Sequence, residues 1–193
     1  MDGPEGLKPA EFPAFTNEHG DGVVVGGGPV VVDVYVDFQC PYCCRMFAET
    51  SGPVVDALVS DGRITAVYHP VAILDAMSTD RYSTRASAAS GCAADGGRFL
   101  EYHYRLFAAE PPEGGPGLPE SDLVALGAEA GLTGSFAACV HAGGHLDWPP
   151  YVTERAFEQG MRGTPTVRVD GTAVPPHPGP ITTAVESALS HTV

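Results

Sequence analysis

Cys40 and Cys43 stand three residues apart, separated by Pro41 and Tyr42. Two sulfurs at that spacing on the first turn of a helix can close and reopen a disulfide, so the chemistry they offer is thiol-disulfide exchange. Pro41 lacks an N–H and suits the first helical position, which puts Cys40 at the N-cap and Cys43 one turn inside. A helix N-terminus carries partial positive charge and unpaired N–H groups that favour a thiolate, and such places lower a thiol pKa from about 8.5 to roughly 3.5–7.5. Cys40 is therefore expected to be the nucleophile and Cys43 the less exposed resolving thiol. A structural disulfide or half of a zinc site is the competing reading, but no second Cys-X-X-Cys or His-X3-His completes a tetrahedral set. No metal site is expected, and exchange between sulfurs needs no organic cofactor.

Three further cysteines remain. Cys44 lies about 100° round the helix from Cys43 and is expected to be an inert, partly buried thiol. Cys92 and Cys139 are either separate small core residues or partners in a bridge; a bridge would close a loop of nearly fifty residues, worth up to roughly 4 kcal/mol in the chain-entropy model. A bridge would also point to an oxidising compartment. Asp33 and Asp37 read as residues of polar faces or strand ends, with help in proton transfer as the alternative. His69 reads as a satisfied structural residue. Trp148 and Tyr151 read as packing a helical region onto the core, with lining of a substrate groove as the alternative.

The formal charge of -14, with ten Lys and Arg and no basic cluster, excludes a phosphate-binding surface, so nucleic acid is not an expected partner. The opening residues are polar and contain no secretory apolar segment. The expectation is an extracytoplasmic protein, secreted or held at the cell envelope, whose export signal is missing from this chain; a cytoplasmic protein is the alternative.

The elements that must position the pair follow from period and punctuation. The β-branched run from Val30 to Phe38 predicts a buried strand that delivers Cys40 to the next element. Val23-Val24-Val25 predicts a short strand in hairpin or edge geometry. A helix over 41–58, kinked at Pro53, and a strand over 63–71 complete a parallel βαβ unit. Between 78 and 160 the pattern turns to Ala-rich helical segments, five in all, with a breaker-rich loop over 110–117. Thr166 to Val169, the turn Asp170-Gly171 and Thr172 to Val174 predict an antiparallel hairpin, and Pro180 opens a last amphipathic helix with Ile181, Ala184, Val185, Ala188 and Leu189 on one stripe. The domains are expected at 1–22 (irregular tail), 23–77 with 161–193 (an α/β domain), and 78–160 (an all-helical insertion).

Phe38-Gln39-Cys40-Pro41-Tyr42-Cys43, the helical insertion, and Gly163-Thr164-Pro165-Thr166 opening a hairpin together resemble the DsbA-like thiol-disulfide oxidoreductases, over roughly residues 22–193 in element order. The resemblance implies a thioredoxin-like fold, with βαβ and ββα halves around a central mixed sheet. It implies that Pro165 is cis and faces the active pair, that Thr164 offers backbone pairing to an extended substrate, and that Pro41 and Tyr42 tune the pair. It also implies protein or peptide thiol substrates, secretion or envelope anchoring, and re-oxidation by a membrane quinone-linked partner. Two positions depart from the pattern. Pro41-Tyr42 replaces the Pro-His of the most oxidising members and is the pair found in glutaredoxins, which leaves a reductase or an isomerase open. Val34 stands six residues before Cys40, where the family commonly has a buried acid. A non-catalytic peptide-binding or chaperone module is the remaining alternative.

Overall fold

Strand β2 (Val30–Val36) is the centre from which the rest is laid out. Its valines at 30, 32, 34 and 36 share one face and are buried, while on the other face burial increases from exposed Val31 to buried Tyr35. The computed structural model describes residues 8–112 and 114–191; residues 1–7 of the expected tail and Glu113 of the expected loop lie outside the described residues. β3 (Ile64–Pro70) runs parallel to β2, in register from Val30↔Ile64 to Val36↔Pro70. β4 (Thr166–Val169) lies antiparallel on the other side, from Val32↔Val169 to Tyr35↔Thr166. β5 (Thr172–Val174) completes a hairpin with β4. Its two-residue turn, Asp170-Gly171, has φ of 45° and 77°, the positive values such a hairpin demands. β1 (Val23–Gly26) is an edge strand, antiparallel to β3, so the sheet order is β1-β3-β2-β4-β5.

A hairpin of β1 with β2 does not form, because residues 26–28 cross over the start of β3 instead. Gly28 N–H donates to the Ile64 carbonyl at 3.1 Å. A Cβ at Gly28 would sit 2.3 Å from the Ile64 nitrogen, so this crossing needs glycine.

The helix that begins at the Cys40-Pro41-Tyr42-Cys43 segment also differs from the expected kinked α-helix over 41–58. Tyr42–Ser51 is π-helical, and α1 (Gly52–Ser60) follows without a gap. Pro53 cannot donate into a continuous ladder, so it sits in the first turn of the new helix, where its missing N–H costs nothing. The handover is a bond from Gly52 N–H to the Phe47 carbonyl, five residues back.

Between β3 and β4 lie α2 (Tyr82–Asp95), α3 (Phe99–Ala108), α4 (Glu120–Glu129), α5 (Gly134–His141) and α6 (Trp148–Glu158). The N-cap residue of α2 makes no side-chain capping bond. Arg81 at φ 58° precedes it, and the Ser78 hydroxyl accepts the Tyr82 N–H at 2.8 Å. A disulfide joins Cys92 of α2 to Cys139 of α5, with Cα atoms 5.9 Å apart. α7 (Pro178–His191) starts two residues earlier than Pro180, and it buries Ile181 and Val185.

Residues 8–22 are irregular but are no loose tail, because the far face of the sheet offers them polar partners. Buried Asp21 accepts from Arg155 and Gln159 at 3.2 Å each, and its carbonyl faces His69 Nδ1 at 2.7 Å. Asp33 meets His69 Nε2 at 3.0 Å, and Tyr35 stacks on the His69 ring. Trp148 Nε1 donates to the Gly20 carbonyl and the Tyr151 hydroxyl to the His19 carbonyl, both at 2.7 Å. Trp148 and Tyr151 therefore fasten the N-terminal segment, and neither lines a groove beside the cysteines.

Candidate functional site

The register of the sheet assembles the site. β2 ends at Val36, and residues 37–40 turn into the helix beyond its C-terminal edge. Antiparallel pairing sets Thr166 opposite Tyr35, which brings residues 164 and 165 onto that same edge. The Thr164-Pro165 peptide bond is cis, and the Cys40 thiol donates to the Thr164 carbonyl at 3.3 Å.

Pro41 already has helical dihedrals (φ -59°, ψ -34°), and the Cys40 carbonyl accepts the N–H groups of both Cys43 and Cys44 at 3.0 Å. The Cys40 N–H in turn donates to the Asp37 carbonyl at 3.0 Å. Cys40 and Cys43 are free thiols, 4% and 0% exposed. Cys40 is thus less open than a helix N-cap suggests, because the Thr164 strand end packs across it.

Electrostatics separate the two sulfurs. The Cys40 pKa is lowered to about 6, first by a hydrogen bond from the Cys43 side chain, then by Thr164 and by the N–H groups of Cys43 and Tyr42, against the effect of burial. The Cys43 thiol is pushed well above the usual range by burial, then by its hydrogen bond and proximity to Cys40. Cys44 is also raised by burial, and its thiol donates to the Phe38 carbonyl at 3.5 Å, so it offers no thiolate at neutral pH. Such an arrangement holds one ready thiolate at the floor of the site and one protonated partner behind it.

Val34 supplies no acid, and the buried carboxylate that precedes the pair is Asp37. Val34 is fully buried among apolar side chains, and Asp33 is engaged with His69. Asp37 is fully buried directly before the pair. One oxygen accepts from Gln39 N–H at 2.9 Å and the Ser83 hydroxyl at 2.7 Å, and the other accepts from Leu74 N–H at 3.0 Å. Its pKa is raised to about 6, chiefly by burial, with those hydrogen bonds opposing.

A groove of about 320 Å³ opens beside Cys40, walled by Tyr42, Ile73, Leu74, Met77 and Thr164. Tyr42 is 67% exposed and Met77 49%. The apolar wall from residues 73–77 is not among the features the sequence reading expects. Its signal was an Ile73-Leu74 pair in a segment with no helical or strand period.

A family model described as Thioredoxin matches residues 20–186. A comparison with curated proteins gives no match. Among solved structures, the chain is similar to the reduced form of a disulfide bond oxidoreductase, DsbG, from Mycobacterium tuberculosis: 34% identity, 88% of each chain covered, TM-score 0.75. It is similar to reduced DsbA from the same organism, with 33% identity over 87% of this chain and 99% of that one and a TM-score of 0.70. Oxidised BdbD from Bacillus subtilis shares the fold at 15% identity, over 93% of this chain and all of that one, with a TM-score of 0.74.

Proposed function

The chain belongs to the thioredoxin family and is a thiol-disulfide oxidoreductase; on that premise we propose that it acts on protein thiols, that Cys40 and Cys43 are its redox pair and that it works as a disulfide donor outside the cytoplasm. The observation that carries this reading is the unequal pair itself: a stabilised Cys40 thiolate backed by a buried, protonated Cys43. A stable thiolate favours the reduced enzyme, and so favours passing the disulfide on.

In the oxidising direction a substrate thiolate attacks Cys40 of the Cys40–Cys43 disulfide. The bond between the two cysteines breaks, a mixed disulfide forms on Cys40, and Cys43 leaves as a thiolate that takes up a proton. A second substrate thiolate then attacks the substrate sulfur of the mixed disulfide and releases Cys40 as a thiolate. Two electrons have passed from substrate to enzyme, and a membrane quinone-linked partner is the proposed acceptor that restores the disulfide. Asp37, buried beside the pair, is the proposed store for the proton that Cys43 gains and gives up. Thr164 pairs with substrate backbone, Pro165 faces the pair, and the apolar groove takes a side chain next to the substrate cysteine.

The Cys92–Cys139 bridge supports an oxidising compartment. Pro41-Tyr42 supports a second reading, a reductase or isomerase. A redox titration against glutathione separates the two, since the reference range from about -270 to -120 mV spans roughly 7 kcal/mol. The direct test of the site is Cys43→Ser: mixed disulfides through Cys40 should accumulate on non-reducing gels, and a variant that traps nothing overturns the assignment.

A further inference from the structure

Away from the redox pair, the sulfurs of the Cys92–Cys139 bridge lie beside a carboxylate, Asp95, and an imidazole, His145. Cys92 and Asp95 sit three residues apart on the last turn of α2, a spacing that puts both on one helix face. Cys139 comes from α5, and His145 follows it by six residues. The ligand atoms of Asp95, Cys139 and His145 all lie within 4.8 Å of one another, and Cys92 is bonded to Cys139. His145 Nε2 meets Asp95 Oδ2 at 2.7 Å.

The chain between Cys139 and His145 wraps closely round the sulfurs. Gly144 N–H donates to the Cys139 carbonyl at 2.8 Å, and a Cβ on Gly144 would fall 2.5 Å from Cys139 Sγ and 3.3 Å from Cys92 Sγ. His145 takes a positive φ of 59°, which turns it back toward α2. Sequence spacing hides this set, because it pairs Cys-X2-Asp with Cys-X5-His and contains only one imidazole.

We propose that the Cys92–Cys139 bridge is one state of a two-state site, and that in the reduced state Cys92, Cys139, His145 and Asp95 bind a zinc ion. A dithiol supplies the two electrons and two protons that open the bridge, becoming a disulfide itself, and leaves two thiols. Zinc then displaces both thiol protons. Two thiolates, a neutral imidazole and a carboxylate are a tetrahedral donor set suited to zinc. Their sulfurs need to part to about 3.8 Å, and the nitrogen and oxygen to about 3.4 Å, for bonds of about 2.3 and 2.0–2.1 Å. The ion would keep α2 clamped to α5 when the covalent clamp is open, and would mask two thiols from the exchange chemistry at Cys40.

The test uses the full chain with Cys40→Ser and Cys43→Ser, so that the redox pair cannot hold the metal. Protein reduced with a non-chelating phosphine is titrated with zinc against a chromophoric chelator, and with cobalt for its spectrum. The expected result is one zinc per chain in the reduced protein, none with the bridge intact, and a tetrahedral thiolate spectrum with cobalt. His145→Ala and Asp95→Asn keep the bridge, so both can be purified folded before reduction. Each should weaken zinc binding at least about 10-fold, since even outer-shell losses cost that much. Far-UV circular dichroism of the reduced protein should show the helical content retained or restored by zinc. No stoichiometric zinc, affinity unchanged by His145→Ala and Asp95→Asn, or a reduced protein that unfolds and stays unfolded with zinc each overturns the proposal.

Discussion

The Ser83 hydroxyl donates to the Asp37 carboxylate at 2.7 Å, with both side chains fully buried and 46 residues apart in sequence. This bond ties the first insertion helix to the turn that carries Cys40. It also favours the ionised form of Asp37, against burial, which raises the acid to about 6. A carboxyl with a raised folded pKa binds its proton more tightly in the native state. Its contribution to stability is therefore full below about pH 3.9 and is lost as pH rises towards 6.

Asp37→Asn should remove that slope from the stability profile between pH 4 and 6, whatever it does to stability at one pH. Ser83→Ala should move the Asp37 titration upward by about one pH unit, the equivalent of about 1.4 kcal/mol for a lost charged hydrogen bond. Because Asp37 and Cys40 both titrate near 6 beside each other, Cys40 alkylation should follow two apparent steps in the native protein and one in Asp37→Asn. Alkylation rates across pH 4–9 and thermal melts across the same range check both statements.

The hydrogen bond from Cys43 is the chief cause that lowers the Cys40 pKa, so the two standard replacements of Cys43 should part company. Cys43→Ser keeps a donor and should leave the Cys40 midpoint near 6. Cys43→Ala removes it and should raise the midpoint by about one unit or more, the usual worth of a hydrogen bond to a charged group. Thiolate absorbance against pH reads both. Equal midpoints would place the stabilisation on the backbone N–H groups and Thr164.

Much of this site is legible in the chain because its signals are local. A valine run, Pro41 and the cysteine spacing mark the strand end, the helix start and the candidate pair, and the Asp170-Gly171 turn marks the hairpin of β4 with β5. What the chain hides depends on long-range meetings. Asp37 reads as an ordinary strand-end acid until Ser83 and Leu74 close round it. The π-helical turns over Tyr42–Ser51 have no residue code, only the constraint that Pro53 must begin a new ladder. Docking of residues 8–22 rests on polar partners from α6 and β3, which a Pro- and Gly-rich stretch does not announce.

His103 is another residue hidden from sequence, and it carries its own prediction. It is buried with both ring nitrogens unpartnered, inside a cage formed by Phe38, Tyr68, Phe99 and Phe107. Burial lowers its pKa to about 3. A base with a depressed folded pKa gives stability that is full above about 6.5 and falls as pH drops towards 3. His103→Phe should remove that loss, worth roughly 2–3 kcal/mol at pH 4.5, while changing stability at pH 8 much less. Urea unfolding at the two pH values measures the difference, and an equal effect at both would show that packing alone is at stake.

The redox potential can be set from inside the site or from its rim, and Tyr42 distinguishes the two. It is 67% exposed and stands on the solvent side of Cys40, where a phenol brings no positive charge to the thiolate. A histidine there, when protonated, would favour the Cys40 thiolate, stabilise the reduced enzyme and raise the potential. An exposed charge is screened, so the gain from Tyr42→His should be limited to about 30 mV, or 1.4 kcal/mol, and should shrink with salt. Cys43 cannot be altered in this measurement because the disulfide itself is titrated, so the internal contribution must be moved through Thr164. Thr164→Val leaves the carbonyl that accepts from the Cys40 thiol but removes the hydroxyl that helps to hold the Cys40 pKa down, and should lower the potential by a similar amount, with little dependence on salt. Glutathione titrations of both variants at low and high salt give the answer. A potential that ignores Tyr42→His but responds to Thr164→Val would show that the thiolate is governed by its buried neighbours, and that the Pro41-Tyr42 dipeptide does not decide the direction of exchange.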